Sequence, residues 1–539
     1  MSDTTLIEEL LREQQTLSAV ERFSRFHDRL DSRAKLYSHL LPAEPPSPDQ
    51  QYAFSVELDL CTGCKACVTA CHSLNGLDST EAWRDTGLLT VSTPGEPFQQ
   101  TVTSACHHCL DPACLNGCPV QAYEKHPVTG AVQHLDDQCI GCQYCVLKCP
   151  YDVPKYSESR GIVRKCDLCS QRLTVGEAPA CVQACPAGAI SITLVDRTPT
   201  LTDPTAQMLP GAFPSAYTQP TTRYLSQRPL PPDAQPATSG ALPLEPPHFP
   251  LVGMLALTQL AVGSSLVFAL LFPLLPLSAA KALSAVTATA LQLGLISSVF
   301  HLGKPWGAWR FFLGLRTSWM SREILAFGIY SLLTLLTTAS LWIPADGGIL
   351  PFLGGLPTGA LHALAFCTAA FGLLSVGTSA MIYIDTRRPA WPVALTFIRF
   401  LGSVLILGPL AVATLLSLLP APGEPGFRIW IHTVSLFAAA LQAVVCWVEN
   451  REHTRAFHTP SSARHSTALL VKKFHPGAMK VRTFTAFACA FLTLTAPALP
   501  ISLLPLLLFP AFLLTLCHQL FERMLFFTTA HRPRMPGIP

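Results

Sequence analysis

Charge is what this chain has least of. Only 13% of its 539 residues are Asp, Glu, Lys or Arg, and the formal net charge is +3. That net value says little about partners, because the charges are segregated along the chain. No basic stripe with interleaved aromatics points to nucleic acid, and no G-x-G-x-x-G follows a strand to suggest a dinucleotide site. The N-terminus, MSDTTLIEEL, has no basic run leading into an apolar one. It gives no sign of secretion, and so none of the oxidising compartment that a disulfide framework requires.

Cysteine, by contrast, is abundant and ordered. Sixteen of the twenty lie between Cys61 and Cys185, in four sets of four. The sets are Cys61, Cys64, Cys67 and Cys71; Cys106, Cys109, Cys114 and Cys118; Cys139, Cys142, Cys145 and Cys149; and Cys166, Cys169, Cys181 and Cys185. The first and third read C-x2-C-x2-C-x3-C, the run that holds cubane iron–sulfur clusters. Three of the final cysteines precede a proline (Pro119, Pro150 and Pro186). Three cysteines on a tight loop wrap one cluster, and in two-cluster ferredoxins the fourth ligates the other cluster. Zinc is the competing reading, since C-x2-C pairs also build four-cysteine zinc sites. Such sites do not run to C-x2-C-x2-C-x3-C-P, so iron–sulfur is preferred. Four sets of four thiolates imply four clusters and electron transfer.

The rest of the chain divides by composition. Residues 1–50 carry Leu6, Leu10, Leu11, Leu17, Val20 and Phe23 at near-helical spacing, which predicts an N-terminal helical arm. Residues 51–193 hold the cysteines between short β-rich runs, an α+β pattern with an imperfect internal duplication that suits a ferredoxin-like iron–sulfur domain. Residues 194–247 read as a linker laid along a surface, because thirteen prolines fall between Pro199 and Pro250. From residue 248 to 530 long apolar runs dominate. Eight stretches are long enough to span a bilayer, near 250–271, 282–300, 323–343, 358–384, 395–418, 428–448, 483–499 and 501–521. Residues 531–539 form a tail. The expected fold class is thus an α+β, duplicated ferredoxin-like domain followed by an all-α eight-helix transmembrane bundle.

Orientation follows from the loops. Those on the side of the cysteine domain carry Lys304, Arg310, Arg316, Arg322, Arg387, Arg388, Arg451, Arg455, Arg464, Lys472, Lys473, Lys480, Arg482, Arg523, Arg532 and Arg534, against Lys281 and Arg428 opposite. The bias places the cysteine domain on the cytoplasmic side of an inner (cytoplasmic) membrane.

These stretches together resemble a known family. CTGCKACVTACHSLNGL, CHHCLDPACLNGCPVQAYEK, CIGCQYCVLKCPYDVPKY and RKCDLCSQRL…CVQACPAGAI resemble the four-cluster electron-transfer subunit of the dimethyl sulfoxide reductase family of molybdenum enzymes. HFPLVGMLALTQLAVG, HLGKPWGAWR…SWMSREI, IYIDTRRPAW and FERMLFF resemble the quinol-oxidising membrane anchor of the same enzymes. The chain looks like a fusion of the two. The resemblance implies crossed ligation of four [4Fe–4S] clusters. Cys61, Cys64 and Cys67 would share one with Cys185; Cys166, Cys169 and Cys181 one with Cys71. Cys106, Cys109 and Cys114 would pair with Cys149, and Cys139, Cys142 and Cys145 with Cys118. Related nitrate reductases have tryptophan at the position of Cys142 and a three-iron cluster there; the cysteine here implies four cubanes.

The same resemblance assigns the proton-accepting roles at a quinol or menaquinol site to His301 and Glu323, with Trp319, Arg322 and Arg399 as weaker pocket candidates. It also implies a separate molybdopterin-containing catalytic subunit and exchange with the membrane quinone pool. A cytoplasmic placement favours nitrate or another intracellular acceptor. Reverse flow into quinone, with a formate dehydrogenase, polysulfide or tetrathionate reductase or hydrogenase partner, is the first rival reading. A membrane-anchored zinc scaffold is the second. His362, His432 and His518 fall one per span, so no haem is expected.

Overall fold

The structure is a computed structural model. It describes residues 40–79, 81–91, 98–198, 207–237, 244–343, 356–419, 425–459, 464–498 and 500–536, with Ser462 and scattered positions before residue 40. The helical arm expected over residues 1–50 lies almost wholly outside the described residues. The chain divides into two units. One comprises Met1–Ala241, Trp306–Thr317 and Arg532–Pro539; the other comprises Leu242–Pro305 and Ser318–His531.

The first unit is α+β. Strand β1 (Gln50–Glu57) is followed by helix α1 (Ala66–Asn75), then β2 (Asp85–Val91), β3 (Phe98–Ser104) and α2 (Ala113–Gly117). The hairpin β4 (Tyr123–Lys125) and β5 (Val132–His134) leads to α3 (Tyr144–Lys148). The hairpin β6 (Lys155–Ser157) and β7 (Ile162–Arg164) leads to α4 (Ser170–Thr174) and α5 (Ala180–Gln183). Strand β8 (Ile190–Asp196) returns antiparallel to β1, from Gln50↔Asp196 to Val56↔Ile190, and closes the duplicated domain end to end.

The proline-rich stretch also contributes sheet. Its strand β9 (Arg223–Leu225) pairs parallel with β1, and β10 (Gln235–Pro236) pairs with β2. Pro236 is tolerated because β10 lies at the edge of the β10–β2–β3 sheet. Phe54, Val56, Leu58, Leu89, Val102 and Ile190 build the core around several of the cysteines, and Met535 of the tail is buried in it.

The second unit is all-α. Among the described residues eight helices are long and apolar enough to cross a membrane: α6 (Phe249–Leu271), α7 (Leu277–Val299), α8 (Trp319–Trp342), α9 (Thr358–Ile384), α10 (Val393–Leu418), α11 (Pro425–His458), α13 (Pro476–Thr495) and α14 (Pro505–Thr528). The short α12 (His465–Phe474) precedes α13. The last helix starts later than the apolar run suggests, at Pro505, where a first helical turn accepts proline without losing a hydrogen bond, and it carries Pro510 in its interior. Helices α6 and α10 are the interior ones, with 78% and 67% of their apolar windows buried against 33–39% for the rest. They cross at Gly263 and Gly408, where a Cβ on either would collide with the other's backbone. Without a hydrophobic drive between helices in lipid, such close backbone approach is a main source of packing.

One set of loop charges is corrected. Arg482 and Arg523 are not in loops; both are fully buried within spans α13 and α14.

Candidate electron-transfer site

The cysteine loops turn through the left-handed region in a repeated way. Gly63 (φ 72°) and Lys65 (φ 61°) flank Cys64, and Gly141 (φ 71°) and Gln143 (φ 58°) flank Cys142. The duplication is therefore visible in the backbone as well as in the spacing. Such turns aim successive N–H groups inward, as a nest for negative charge. Gly141 N donates to Cys139 Sγ at 3.4 Å, and Ala122 N to Cys118 Sγ at 3.2 Å.

The structure groups the cysteines across the motifs. Cys61 neighbours Cys64 and Cys185, and Cys67 also neighbours Cys185. These four line one cavity. Cys71 leaves its own set to stand beside Cys169 and Cys181, and Cys166 beside Cys71. Cys106, Cys109, Cys114 and Cys149 line a second cavity. Cys142 and Cys145 neighbour Cys139 and Cys118. Among the described residues no three ligating side chains converge closely enough for a single metal ion.

Burial pushes most of these thiols up, Cys118 and Cys149 to about 11 and Cys114 and Cys169 to about 12. Two are lowered instead. Exposed Cys64 is held low by the Ala66 N–H. Burial also pushes Cys139 up, but a hydrogen bond with His134 and the imidazole's charge outweigh it and hold the thiol low. Thiols so buried ionise at neutral pH only against a bound cation, which the irons of a cluster supply. Sulfur donors alone, grouped in fours and ringed by N–H groups, fit [4Fe–4S] clusters.

The membrane unit holds the other candidates. His301, half-buried, follows the end of α7, and Glu323 is buried in the first turns of α8. The His301 ring meets the His248 ring edge-on at 5.0 Å, His248 meets Phe527 at 5.8 Å, and Phe527 meets Tyr383 at 5.7 Å. Tyr383 and Ser379 of α9 face the Glu323 carboxyl. The two candidates thus join through a run of rings.

His248 was visible in the sequence only as the residue before Phe249. Its role shows in three dimensions, where a left-handed backbone (φ 48°) starts α6 and sets its ring on His301. Arg322 lies over the Trp319 ring at 4.4 Å. Arg399 belongs instead to a buried ion network with Glu449 and Glu522. His362 bonds to the Ala269 carbonyl and His518 to that of Arg482.

Comparison with known proteins adds two family matches. Residues 98–195 match a 4Fe-4S dicluster domain, and residues 245–529 match the DMSO reductase anchor subunit (DmsC). The hydrogenase-2 operon protein HybA of Escherichia coli O157:H7 is 36% identical over 172 residues, covering 27% of this chain and 52% of that protein. The B subunit of the anaerobic dimethyl sulfoxide reductase of Haemophilus influenzae is 35% identical over 183 residues, 32% of this chain and 87% of that one. The formate dehydrogenase-O iron–sulfur subunit of Escherichia coli K12 is 33% identical over 157 residues, 26% of this chain and 52% of that one. The chain spans about half the length of the first of these relatives.

Proposed function

This protein belongs to the DMSO reductase anchor subunit family, and we propose that it oxidises membrane quinol and delivers the electrons, by way of four [4Fe–4S] clusters, to a separate molybdopterin-containing subunit. The observation that carries the reading is sixteen cysteines spaced in four sets, with Cys185 beside Cys61 and Cys71 beside Cys181, in a chain with eight apolar helices among its described residues. We assign Cys61, Cys64, Cys67 and Cys185 to one cluster, and Cys166, Cys169, Cys181 and Cys71 to a second. Cys106, Cys109, Cys114 and Cys149 form the third, and Cys139, Cys142, Cys145 and Cys118 the fourth. When bound, each cluster would take up and give back one electron.

The protein's own groups do the proton work. Quinol oxidation sheds two protons. An imidazole nitrogen of His301 takes one, since histidine titrates near neutrality, and a carboxylate oxygen of Glu323 takes the other. His248 and Phe527 hold the imidazole from one side; Ser379 and Tyr383 orient the carboxyl. Ionisable side chains at membrane depth are functional candidates by default. The loop charges support a cytoplasmic iron–sulfur unit on an inner membrane.

Likeness to a formate dehydrogenase subunit favours a second reading, in which the same groups return protons to quinone as electrons arrive. Quinol-driven cluster reduction in the purified complex, followed at about sixteen irons per chain, tests the first. H301A and E323Q are expected to slow it strongly with iron content unchanged. Parental rates in both variants would overturn the site assignment, and a protein without iron or labile sulfide would overturn the clusters.

A further inference from the structure

Arg84 and Lys165 are buried cations among the cysteines, each where crossed sets meet. Arg84, only 2% exposed, neighbours Cys67 of one set and Cys71, Cys166 and Cys181 of the next. Its Nη1 donates to Thr103 Oγ1 at 3.3 Å, and that oxygen lies 3.8 Å from Cys67 Sγ. The guanidinium rests on the Phe54 ring at 4.5 Å, while Nε and Nη2 have no hydrogen-bond partner among the described residues. Lys165, equally buried, neighbours Cys166 of the second set and Cys106 and Cys114 of the third. Its Nζ donates to the carbonyls of Val132 and Cys166 and stands 3.7 Å from Cys106 Sγ.

A buried cation is costly unless negative charge is near. For Arg84 no carboxylate pairs with the guanidinium among the described residues, so the thiolates are its counter-charge. Reduction adds a negative charge to a cluster, and a fixed cation beside the sulfurs favours that state. Net charge and hydrogen bonds at the sulfurs are recognised levers on cluster potential.

We propose that Arg84 and Lys165 set the order of reduction potentials along the four sites. Arg84 raises the Cys61 and Cys166 sites, and Lys165 raises the Cys166 and Cys106 sites. The Cys166 site, facing both cations, is raised most. The Cys139 site faces neither and is not raised by them. The assignment rests on the four-cluster reading above, and iron content of the parent complex tests that reading separately.

EPR-monitored redox titration of the purified complex tests the proposal. In R84Q the reduced-to-oxidised ratio at fixed poise should fall about tenfold at the Cys61 and Cys166 sites, 59 mV for a one-electron couple, with the Cys139 site unmoved. K165Q should shift the Cys166 and Cys106 sites instead. The charge-keeping variants R84K and K165R should stay within about threefold of the parent, and they decide the matter if a glutamine variant loads less iron. Fully loaded glutamine variants with parental midpoints, a shift common to all four sites, or lysine and arginine variants that fall about tenfold would each overturn it.

Discussion

Arg399 Nε stands 2.6 Å from Glu449 Oε1, joining α10 to α11 in the interior of the membrane unit. Glu449 also pairs with Arg482 of α13, and Arg399 reaches Glu522 of α14 at 3.3 Å. Arg523 pairs with Glu522 at 2.9 Å and donates to Ser403 and Gln259, which brings in α6. Three arginines and two glutamates thus tie five helices together where water cannot replace a lost partner.

Removing one member should therefore cost far more than the pair contributes. E449Q leaves two buried guanidinium groups short of a counter-charge, a loss of about 3–5 kcal/mol. Exposed R455A, whose partner Glu452 is in solvent, should change stability by less than about 1 kcal/mol. Thermal unfolding of the detergent-solubilised protein checks both.

The α6–α10 crossing predicts a steric failure. G408V inserts a side chain into the backbone of Gly263 and Ser264, so the inner helices must separate. A destabilisation of about 1–3 kcal/mol or more is expected, measured as a fall in Tm. G328V, with open space at its Cβ position, serves as the control.

In the first unit Asp152 gathers three cations: Lys155 Nζ at 2.7 Å, Arg532 Nη1 at 3.3 Å and Arg534 Nε at 3.2 Å. Burial pushes its carboxyl up, but these charges outweigh burial and hold it below its ordinary value. A depressed folded value means stability is fully present above about pH 3.9 and is lost as the pH falls through the folded value. Amide exchange in residues 531–536 should be independent of pH-linked loosening between neutral pH and the carboxylate range. D152N should raise that exchange at neutral pH, the difference fading as the parent carboxyl protonates; unchanged protection at neutral pH would dismiss the anchor.

Cys142 offers a test of ligation. C142S should remove one corner of one cluster, taking iron from about sixteen to about fifteen per chain and adding a three-iron EPR signal. Iron unchanged, with no new signal, would remove Cys142 from the ligand set.

Much of this was legible because its causes are local. A C-x2-C-x2-C loop needs only seven residues to wrap a metal centre, so Cys61–Cys67 and Cys139–Cys145 declare themselves. The apolar helices are equally plain, since lipid demands a length of apolar chain whatever the neighbours do. Where sequence reasoning failed, the cause lay at a distance. Arg482 looked like a loop charge because the glutamate that neutralises it, Glu449, comes from α11, and Arg523 because its partners Ser403 and Gln259 come from α10 and α6. The prolines after Pro199 suggested a linker laid along a surface, but which surface, the β1 and β2 edges that Arg223–Leu225 and Gln235–Pro236 join, cannot be inferred from that stretch alone.

By itself the amino-acid order determined the chemistry available: sulfur donors in fours, an α+β first part and eight membrane-length helices. Tertiary structure alone decided which groups meet. It set His248 on His301, brought Cys185 to Cys61, and buried Arg84 and Lys165 among the sulfurs. The reason is physical. Ligand spacing and hydrophobic length act within a few turns of chain, whereas pairing of buried charges depends on surfaces that exist only once the polypeptide has closed on itself.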